Sequence, residues 1–377
     1  MRRPYTSRPT IARCALPGAV LVLAIAACGS AAAMDPEGNA ACRNDLDALP
    51  EFLLENDSGA RDHVARKGQA VFDAALVRAR RDAAAANSDA DCRDVLRSYL
   101  RTYRAGHLGL SNLAEAPATA TPATGADANA PSFEVLSPTT ALLVLPSFDP
   151  RHEEAMAGLL KRQAKAIDAR PNLIIDVRRN GGGSDATFAS VLPLIEANLR
   201  SDVGAEFLAT PANIESSQQS CEVFAPTSQS CLAFMRSVIE AMQAATPGTF
   251  VLPIGQDRIE TIRPASVRRH PRRVAVMIDH ACGSSCEEFV LAVRQSFKVK
   301  LFGRPTYGSL DYSNLRPHTL PSGRRRLIYA TSRSLRLPAY TVDVTGIAPD
   351  QVLPAPTDEQ AARAEIVYVR EVLESAR

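Results

Sequence analysis

The segment "RVAVMIDHACGSSCEEF", residues 273–289, is the stretch on which the fold prediction turns. An apolar run of strand length ends at Asp279, a short polar turn follows, and an apolar-periodic stretch begins near Ser285. This order would hold the Ser284 hydroxyl at a helix N-terminus, where free N–H groups favour a developing negative charge. The same position suits a serine that only caps the helix, so two interpretations stand, a nucleophile and a cap.

The rest of the chain predicts a mixed α/β body after a helical N-terminal part. Residues 43–110 keep apolar side chains three and four positions apart among strong helix formers. The Ala-, Pro- and Thr-rich residues 113–131 then predict a linker. Beyond it, apolar runs at 140–148 and 172–178 flank a helical pattern at 153–168. This succession predicts a strand, helix, strand unit.

The N-terminus has the pattern of an export signal. Residues 1–13 carry four arginines and no acid, and the apolar residues 15–27 are too few to span a bilayer. The sequence "IAAC" before Cys28 favours a lipoprotein signal, whereas "SAAAM" around Ala33 suits ordinary cleavage. We therefore expect export, either to the periplasm as a lipoprotein of the bacterial outer membrane anchored through Cys28, or by secretion.

Four segments are expected along the chain. They are a signal peptide at 1–27, a helical subdomain at 28–112, a linker at 113–131 and a catalytic domain at 132–377.

Charge and cysteine content narrow the class of protein. The formal net charge is +2, and loss of residues 1–27 would leave −2, which disfavours a nucleic-acid partner. Six cysteines remain beyond residue 28, and proximity predicts three disulfides in an oxidising compartment. The pairs are Cys42 with Cys92, Cys221 with Cys231, and Cys282 with Cys286. A metal site made of Cys282, Cys286 and His280 is an alternative, but it lacks a second ligand pair.

A second loop, "DVRRNGGG" at residues 176–183, follows a buried apolar run. Three consecutive glycines suit a backbone that bends sharply or brings its N–H groups close to a ligand. A flexible turn would have the same composition.

Four sequence elements occur in a characteristic order: "DVRRNGGG", "SSCEEF", "FGRPTYG" and "GIAPD". Over about residues 140–353 this order resembles the serine peptidases that include tail-specific processing proteases, the tricorn core protease and the repeats of interphotoreceptor retinoid-binding protein. The resemblance implies an α/β (α+β) fold with the spiral ββα core of the Clp protease and crotonase fold, behind an N-terminal helical subdomain.

The resemblance also implies roles for particular residues. Ser284 matches the family's nucleophile, and the oxyanion hole would combine the N–H of Gly181 or Gly182 with that of Ser285. Tail-specific proteases carry a lysine base after the "PTYG"-like turn, but Ser309 stands there in this chain. A Ser-Lys dyad is therefore not expected.

The tricorn-like branch takes its base from an upstream histidine, which matches His107 of "RAGHLGL". An acid that orients or assists this histidine matches Asp343, where the branch usually has a glutamate one methylene longer. His280 remains an alternative base, and Asp311 an alternative partner for the histidine or the substrate.

The predicted function is an exported serine peptidase that hydrolyses peptide bonds through Ser284, His107 and Asp343, with a peptide or protein as substrate and no cofactor or metal. A non-catalytic ligand- or peptide-binding module on the same fold is the alternative from another class. An esterase-type acyl hydrolase would share the chemistry and differ only in substrate.

Overall fold

The computed structural model of the chain describes residues 36–113, 127–221 and 229–375. The expected signal peptide, Cys28, Ala33 and most of the expected linker lie outside these residues. Among the described residues, no helix combines the length and the apolar character that crossing a bilayer requires.

The apolar runs beyond residue 131 form a six-stranded sheet with the order β13-β10-β9-β4-β3-β2. All neighbours are parallel except β2 and β3. The three central strands are buried along almost their whole length, as expected for a parallel sheet covered on both faces. The strands are β2 Ser132–Val135, β3 Thr140–Val144, β4 Asn172–Asp176, β9 Arg273–Ile278, β10 Val299–Gly303 and β13 Gln351–Val352.

Helices cover the two faces of this sheet and define separate apolar cores. On one face, Leu143, Ile175 and Val276 pack in a cluster with Leu160 and Phe289 from two covering helices. On the other face, Ile174 and Met277 pack against the C-terminal helix. The covering helices are α5 Glu153–Asp168, α6 Asp185–Ala189, α7 Leu192–Ile195, α10 Ser285–Val293 and α11 Glu359–Ser375.

A second, antiparallel sheet joins the N-terminal helices to the body. Its order is β1-β12-β6-β7, with β11 also paired to β12. Leu46 and Leu96 from the helices share one apolar core with Leu327 of β12. The elements are α1 Pro36–Asn56, α2 Ala60–Lys67, α3 Gln69–Ala84, α4 Asp89–Tyr103, β1 Gly109–Asn112, β6 Ala205–Leu208, β7 Phe250–Val251, β11 Tyr312–Thr319 and β12 Arg325–Ser334.

Smaller elements complete the described chain. A two-stranded antiparallel sheet pairs β5 with β8, and the helices α8 and α9 lie between β6 and β7. These elements are β5 Arg200–Val203, β8 Ile259–Ile262, α8 Pro211–Gln218 and α9 Gln229–Ala244. A 3₁₀ turn spans Pro150–His152.

The three predicted disulfides are all present, with Cα–Cα distances of 5.9, 5.8 and 5.4 Å in chain order. Both sulfurs of Cys282 and Cys286 are therefore used in a covalent bond, and the alternative metal site at these residues has no thiolates left. Cys282 and Cys286 are fully buried on either side of Ser284, so the disulfide braces the turn that carries it.

Candidate active site

The candidate nucleophile lies on a strained turn between a buried strand and a helix. The strand β9 ends at Ile278 and the helix α10 begins at Ser285, so Ser284 occupies the position just before the helix. Its backbone has φ 58° and ψ −126°, a conformation that costs a non-glycine residue free energy and that clusters at functional sites. Such a strand-turn-helix geometry exposes a serine hydroxyl at the carboxyl edge of a sheet.

The glycine loop packs directly against this turn. Because β4 and β9 are adjacent and parallel, the loops that follow them leave the same edge of the sheet. Gly182 has φ 94°, and a Cβ on it would lie 2.8 Å from the Cβ of Ser284 and 3.0 Å from the amide nitrogen of Ser285. No side chain fits there, which explains the glycine at this position.

Asn180 holds the glycine loop and the nucleophile turn together from a fully buried position. Its side-chain amide donates to the Leu145 carbonyl at 2.9 Å, and its side-chain oxygen accepts from the Gly182 N–H at 2.9 Å. Its main-chain carbonyl accepts from the Gly283 N–H at 3.2 Å. The Gly182 N–H is therefore already engaged.

Other amides at this point remain free to meet a negative oxygen. The N–H groups of Gly181, Gly183 and Ser285 donate to no residue in the described parts of the chain. Ser285 lies in the first turn of α10, where the helix dipole adds to the attraction for an anion. Of the two glycines expected from the sequence, Gly181 thus has the available donor.

Glu287 fastens the nucleophile turn to the turn that precedes β11. Its fully buried carboxylate accepts from the amides of Gly308 and Ser309 at 2.7 and 2.8 Å and from that of Ser284 at 3.2 Å. The Thr306 hydroxyl is a fourth donor. Burial raises the pKa of Glu287, and the four hydrogen bonds oppose that shift by favouring the charged form.

His107 lies close to this assembly although it comes from the early part of the chain. The Ser284 N–H donates to the Ser309 carbonyl at 3.2 Å. On the other side of Ser309 lies Gly106, where an added Cβ would be only 2.7 Å from the Ser309 Cβ. Ser309 therefore contacts both the His107 segment and the nucleophile turn.

The imidazole of His107 is held in a defined orientation. Its Nδ1 lies 2.6 Å from the Tyr312 carbonyl oxygen, so this nitrogen carries the proton and Nε2 is the free base. Nε2 makes no hydrogen bond within the described part of the chain. The backbone at His107 is left-handed, with φ 52°. Burial, and secondarily the nearby Arg104, lower the pKa of His107 to about 4, whereas the Tyr312 hydrogen bond opposes the shift.

Among the described contacts, no hydrogen bond or ion pair joins Asp343 to the His107 ring, and Asp343 instead holds the segment that orients the ring. One carboxylate oxygen of Asp343 accepts from the amides of Leu310 and Asp311 at 2.7 and 2.8 Å, just ahead of Tyr312. Burial, followed by the charge of Asp311, raises the pKa of Asp343 to about 6. Asp311 is buried as well, and it accepts from the backbone amides of Val342 and Asp343.

The alternative base has a different environment. His280 is exposed, and its ring lies 5.2 Å from that of Tyr307 without a hydrogen bond to any described residue. Lys298, a lysine that directly precedes β10, donates to the Arg268 carbonyl at 2.9 Å. Neither side chain is linked to Ser284 by a described contact.

Three features of the site had no counterpart in the sequence prediction. Asn180 stands next to the glycines and could have been suspected from that position. Glu287 lies in the first turn of α10, where an acid is ordinarily explained by its favourable interaction with the helix dipole. The Tyr312 carbonyl is a main-chain group, so no pattern of side chains in the sequence predicts that it binds His107.

The fold and the site define a mixed α/β protein whose glycine loop and serine turn meet at one edge of a parallel sheet, with the His107 segment packed against Ser309 beside them. The model of peptidase family S41 matches residues 139–353. This is more than half of the chain, and the protein belongs to this family of serine peptidases. No curated protein shows significant sequence similarity to the chain.

Solved structures of similar fold extend over nearly the whole chain. The structure of mature CPAF complexed with lactacystin has a TM-score of 0.62 at 11% identity and covers 88% of this chain and 98% of its own. A protein from Parabacteroides merdae, classed as a peptidase, has a TM-score of 0.54 at 17% identity, with coverage of 89% and 97%. At these identities the likeness concerns the fold alone, and the predicted Clp protease and crotonase class is confirmed.

Proposed function

We propose that the protein is an exported serine peptidase in which Ser284 is the nucleophile and His107 the general base. The observation that carries the proposal is the Ser284 turn itself. Its left-handed backbone, the glycine packed against its Cβ and the free Ser285 amide together resemble a nucleophile elbow with half of an oxyanion hole.

The arrangement supports acyl transfer in two stages. Nε2 of His107 takes the Ser284 hydroxyl proton while Oγ attacks the peptide carbonyl carbon. The carbonyl oxygen becomes an anion and accepts from the Ser285 amide and from a glycine-loop amide, of which Gly181 is the leading candidate. The intermediate then expels the amine, which receives the proton from His107. In the second stage His107 takes a proton from water, the water oxygen attacks the acyl-enzyme carbonyl, and the Ser284 oxygen leaves with that proton.

In this proposal Asp343 is a positioning residue. Its carboxylate fixes the amides of residues 310 and 311, and thereby the Tyr312 carbonyl that holds the His107 ring. The histidine of this chain would thus be oriented by a main-chain carbonyl.

A fluorophosphonate probe tests the nucleophile directly. The serine oxygen displaces fluoride from phosphorus, and peptide mapping locates the adduct. We expect one adduct within residues 280–289 of the folded protein and none in Ser284→Ala. The matched control is Ser285→Ala, which keeps the backbone amide and should still be labelled. An unlabelled folded wild-type protein would contradict the proposal.

A non-catalytic binding module is favoured by one observation, the absence of a hydrogen bond between His107 and either Ser284 or Asp343 among the described contacts. Ser284→Ala separates the two functions, because a peptidase loses turnover whereas a binding module keeps its affinity. Matched peptide and ester substrates would then distinguish a peptidase from an esterase.

Export is supported by the three disulfides of the described residues, since such bonds persist in oxidising compartments. We propose that Cys28 is lipidated after removal of residues 1–27. Metabolic labelling with a palmitate analogue should mark the wild-type protein and not Cys28→Ala. An N-terminus at residue 34 in the mature protein would instead indicate ordinary signal cleavage after Ala33.

A further inference from the structure

A cleft of about 410 Å³ opens between α2, the end of α4 and the turns around Gly308 and Asp343. We call it the basic cleft. Its volume lies in the range of clefts that bind small ligands or a few side chains. Of the side chains given a role in the proposed reaction, Asp343 lines it.

Three cations line the basic cleft without an ion-pair partner among the described residues: Arg66, Lys67 and Arg101. Arg66 and Arg101 are exposed, and the Arg66 guanidinium lies 3.1 Å from the ring of His63. Lys67 donates to the carbonyls of Thr102 and Tyr103 at 2.7 and 2.9 Å. Those contacts satisfy hydrogen bonds but do not neutralise charge.

The remaining lining residues leave this positive charge largely uncompensated. Arg104 is buried and paired with Asp57, so it adds little. Burial, reinforced by Arg66, lowers the pKa of His63 to about 3, which keeps its ring neutral. Asp343 is the one carboxylate among the described lining residues, and its charge offsets only one of the three cations.

The basic cleft shares walls with the candidate active site. Gly106, which lines the cleft, precedes His107 and packs against Ser309. Gly308, which also lines the cleft, donates its amide to Glu287 beneath the nucleophile turn. A peptide held at Ser284 therefore has the basic cleft next to it.

We propose that the basic cleft binds a carboxylate of the peptide substrate, most directly the side chain of a Glu or Asp residue outside the scissile bond. The planar guanidinium groups of Arg66 and Arg101 can each hold a carboxylate through two parallel hydrogen bonds. This inference rests on the proposed peptidase function, and it adds a class of substrate, acidic peptides.

Binding to full-length mature Ser284→Ala tests the proposal without turnover. The probes are fluorescent alanine-based peptides, acetylated and amidated at their ends, with one Glu or one Gln at each position in turn. We expect at least one Glu peptide to bind about tenfold more tightly than its Gln twin at low salt, as a charge-assisted hydrogen bond implies. Added salt should reduce the difference.

The preference should disappear when Arg66→Gln and Arg101→Gln are combined and should weaken in each single variant. Both side chains are exposed, so these variants should fold, and circular dichroism checks this. Arg162→Gln is the matched control, because Arg162 is an exposed arginine on α5 that does not line the basic cleft. The Arg162→Gln variant should keep the full preference for Glu over Gln peptides.

Equal affinity for every Glu and Gln pair would overturn the proposal, and so would absent binding or a preference that survives the double variant. A peptide whose only carboxylate is its C-terminus tests whether the bound carboxylate comes from a side chain or from a chain end. If this peptide binds tightly to the parent protein and not to the double variant, the basic cleft is a carboxylate site and its ligand is a chain end.

The fate of the peptidase proposal is measured separately, by fluorophosphonate labelling of the wild type. If labelling fails while the Glu preference holds, the basic cleft belongs to a binding protein.

Discussion

Nδ1 of His107 lies 2.6 Å from the main-chain carbonyl oxygen of Tyr312, so the candidate base is oriented by β11 rather than by a carboxylate. The bond fixes the tautomer in which Nε2 can accept a proton. Because a carbonyl carries no net charge, it stabilises an imidazolium less than a carboxylate does. Burial of the ring, which this hydrogen bond opposes only in part, lowers the pKa of His107 and favours its neutral form.

The first prediction follows from the lowered pKa of His107, about 4 in the folded protein. A general base works when it is neutral, so activity should be lost as pH falls through the folded pKa and retained above it. We expect kcat/KM to stay level from neutral pH down to about pH 5 and to fall below about pH 4. A profile measured in the free-enzyme regime checks this. An acid limb centred near pH 6.5, the ordinary value for histidine, would contradict it.

The second prediction separates a positional role of Asp343 from an electrostatic one. Asp343→Asn keeps an oxygen that can accept from the amides of Leu310 and Asp311, whereas Asp343→Ala removes it. We expect Asp343→Asn to retain most of kcat. We expect Asp343→Ala to lower kcat about tenfold or more, because two buried backbone amides then lose their acceptor. Steady-state kinetics of both variants test this. If Asn lowers kcat by several thousandfold, the charge of Asp343 acts on the histidine and the positional role is wrong.

The third prediction concerns the contact between Gly182 and Ser284. Gly182→Ala would place a methyl group 2.6 Å from the Gly283 carbonyl oxygen at a φ of 94°, so the nucleophile turn must move. We expect a loss of stability of about 1–3 kcal/mol, together with a loss of most of the probe labelling. Gly181→Ala is the control, because nothing lies within 4 Å of its added Cβ and its amide is retained. Equal labelling of the two variants would show that Gly182 does not shape the nucleophile turn.

The fourth prediction concerns the buried carboxylate of Glu287. Glu287→Gln puts an amide nitrogen, a donor, where one carboxylate oxygen accepts from backbone N–H groups. We expect the free energy of unfolding to fall by about 1–3 kcal/mol in denaturant titrations. Glu288→Gln is the matched control, since Glu288 lies partly exposed and pairs with Arg336. If Glu288→Gln lowers the free energy of unfolding as much as Glu287→Gln does, Glu287 does not have a special role in holding the two turns together.

Much of the fold could be predicted from the sequence because local patterns are physically decisive there. A short, mostly apolar run such as residues 172–176 is typical of a strand in a sheet covered on both faces. The disulfide partners follow from the proximity of the cysteines along the chain. The strand, turn and helix around Ser284 likewise follow from residues that are adjacent in sequence. That local pattern left Ser284 as either a nucleophile or a helix cap, and the resemblance in the order of the motifs favours the nucleophile.

Only the tertiary structure could decide what surrounds that serine. Gly106 meets Ser309 across 203 positions of the chain, and Asp343 holds amides more than thirty residues away. Whether Asp343 reaches the imidazole or the backbone depends on side-chain lengths and loop closures that no local pattern encodes. Every residue carries a main-chain carbonyl. Only the tertiary packing therefore decides that the carbonyl of Tyr312 is the one that meets His107.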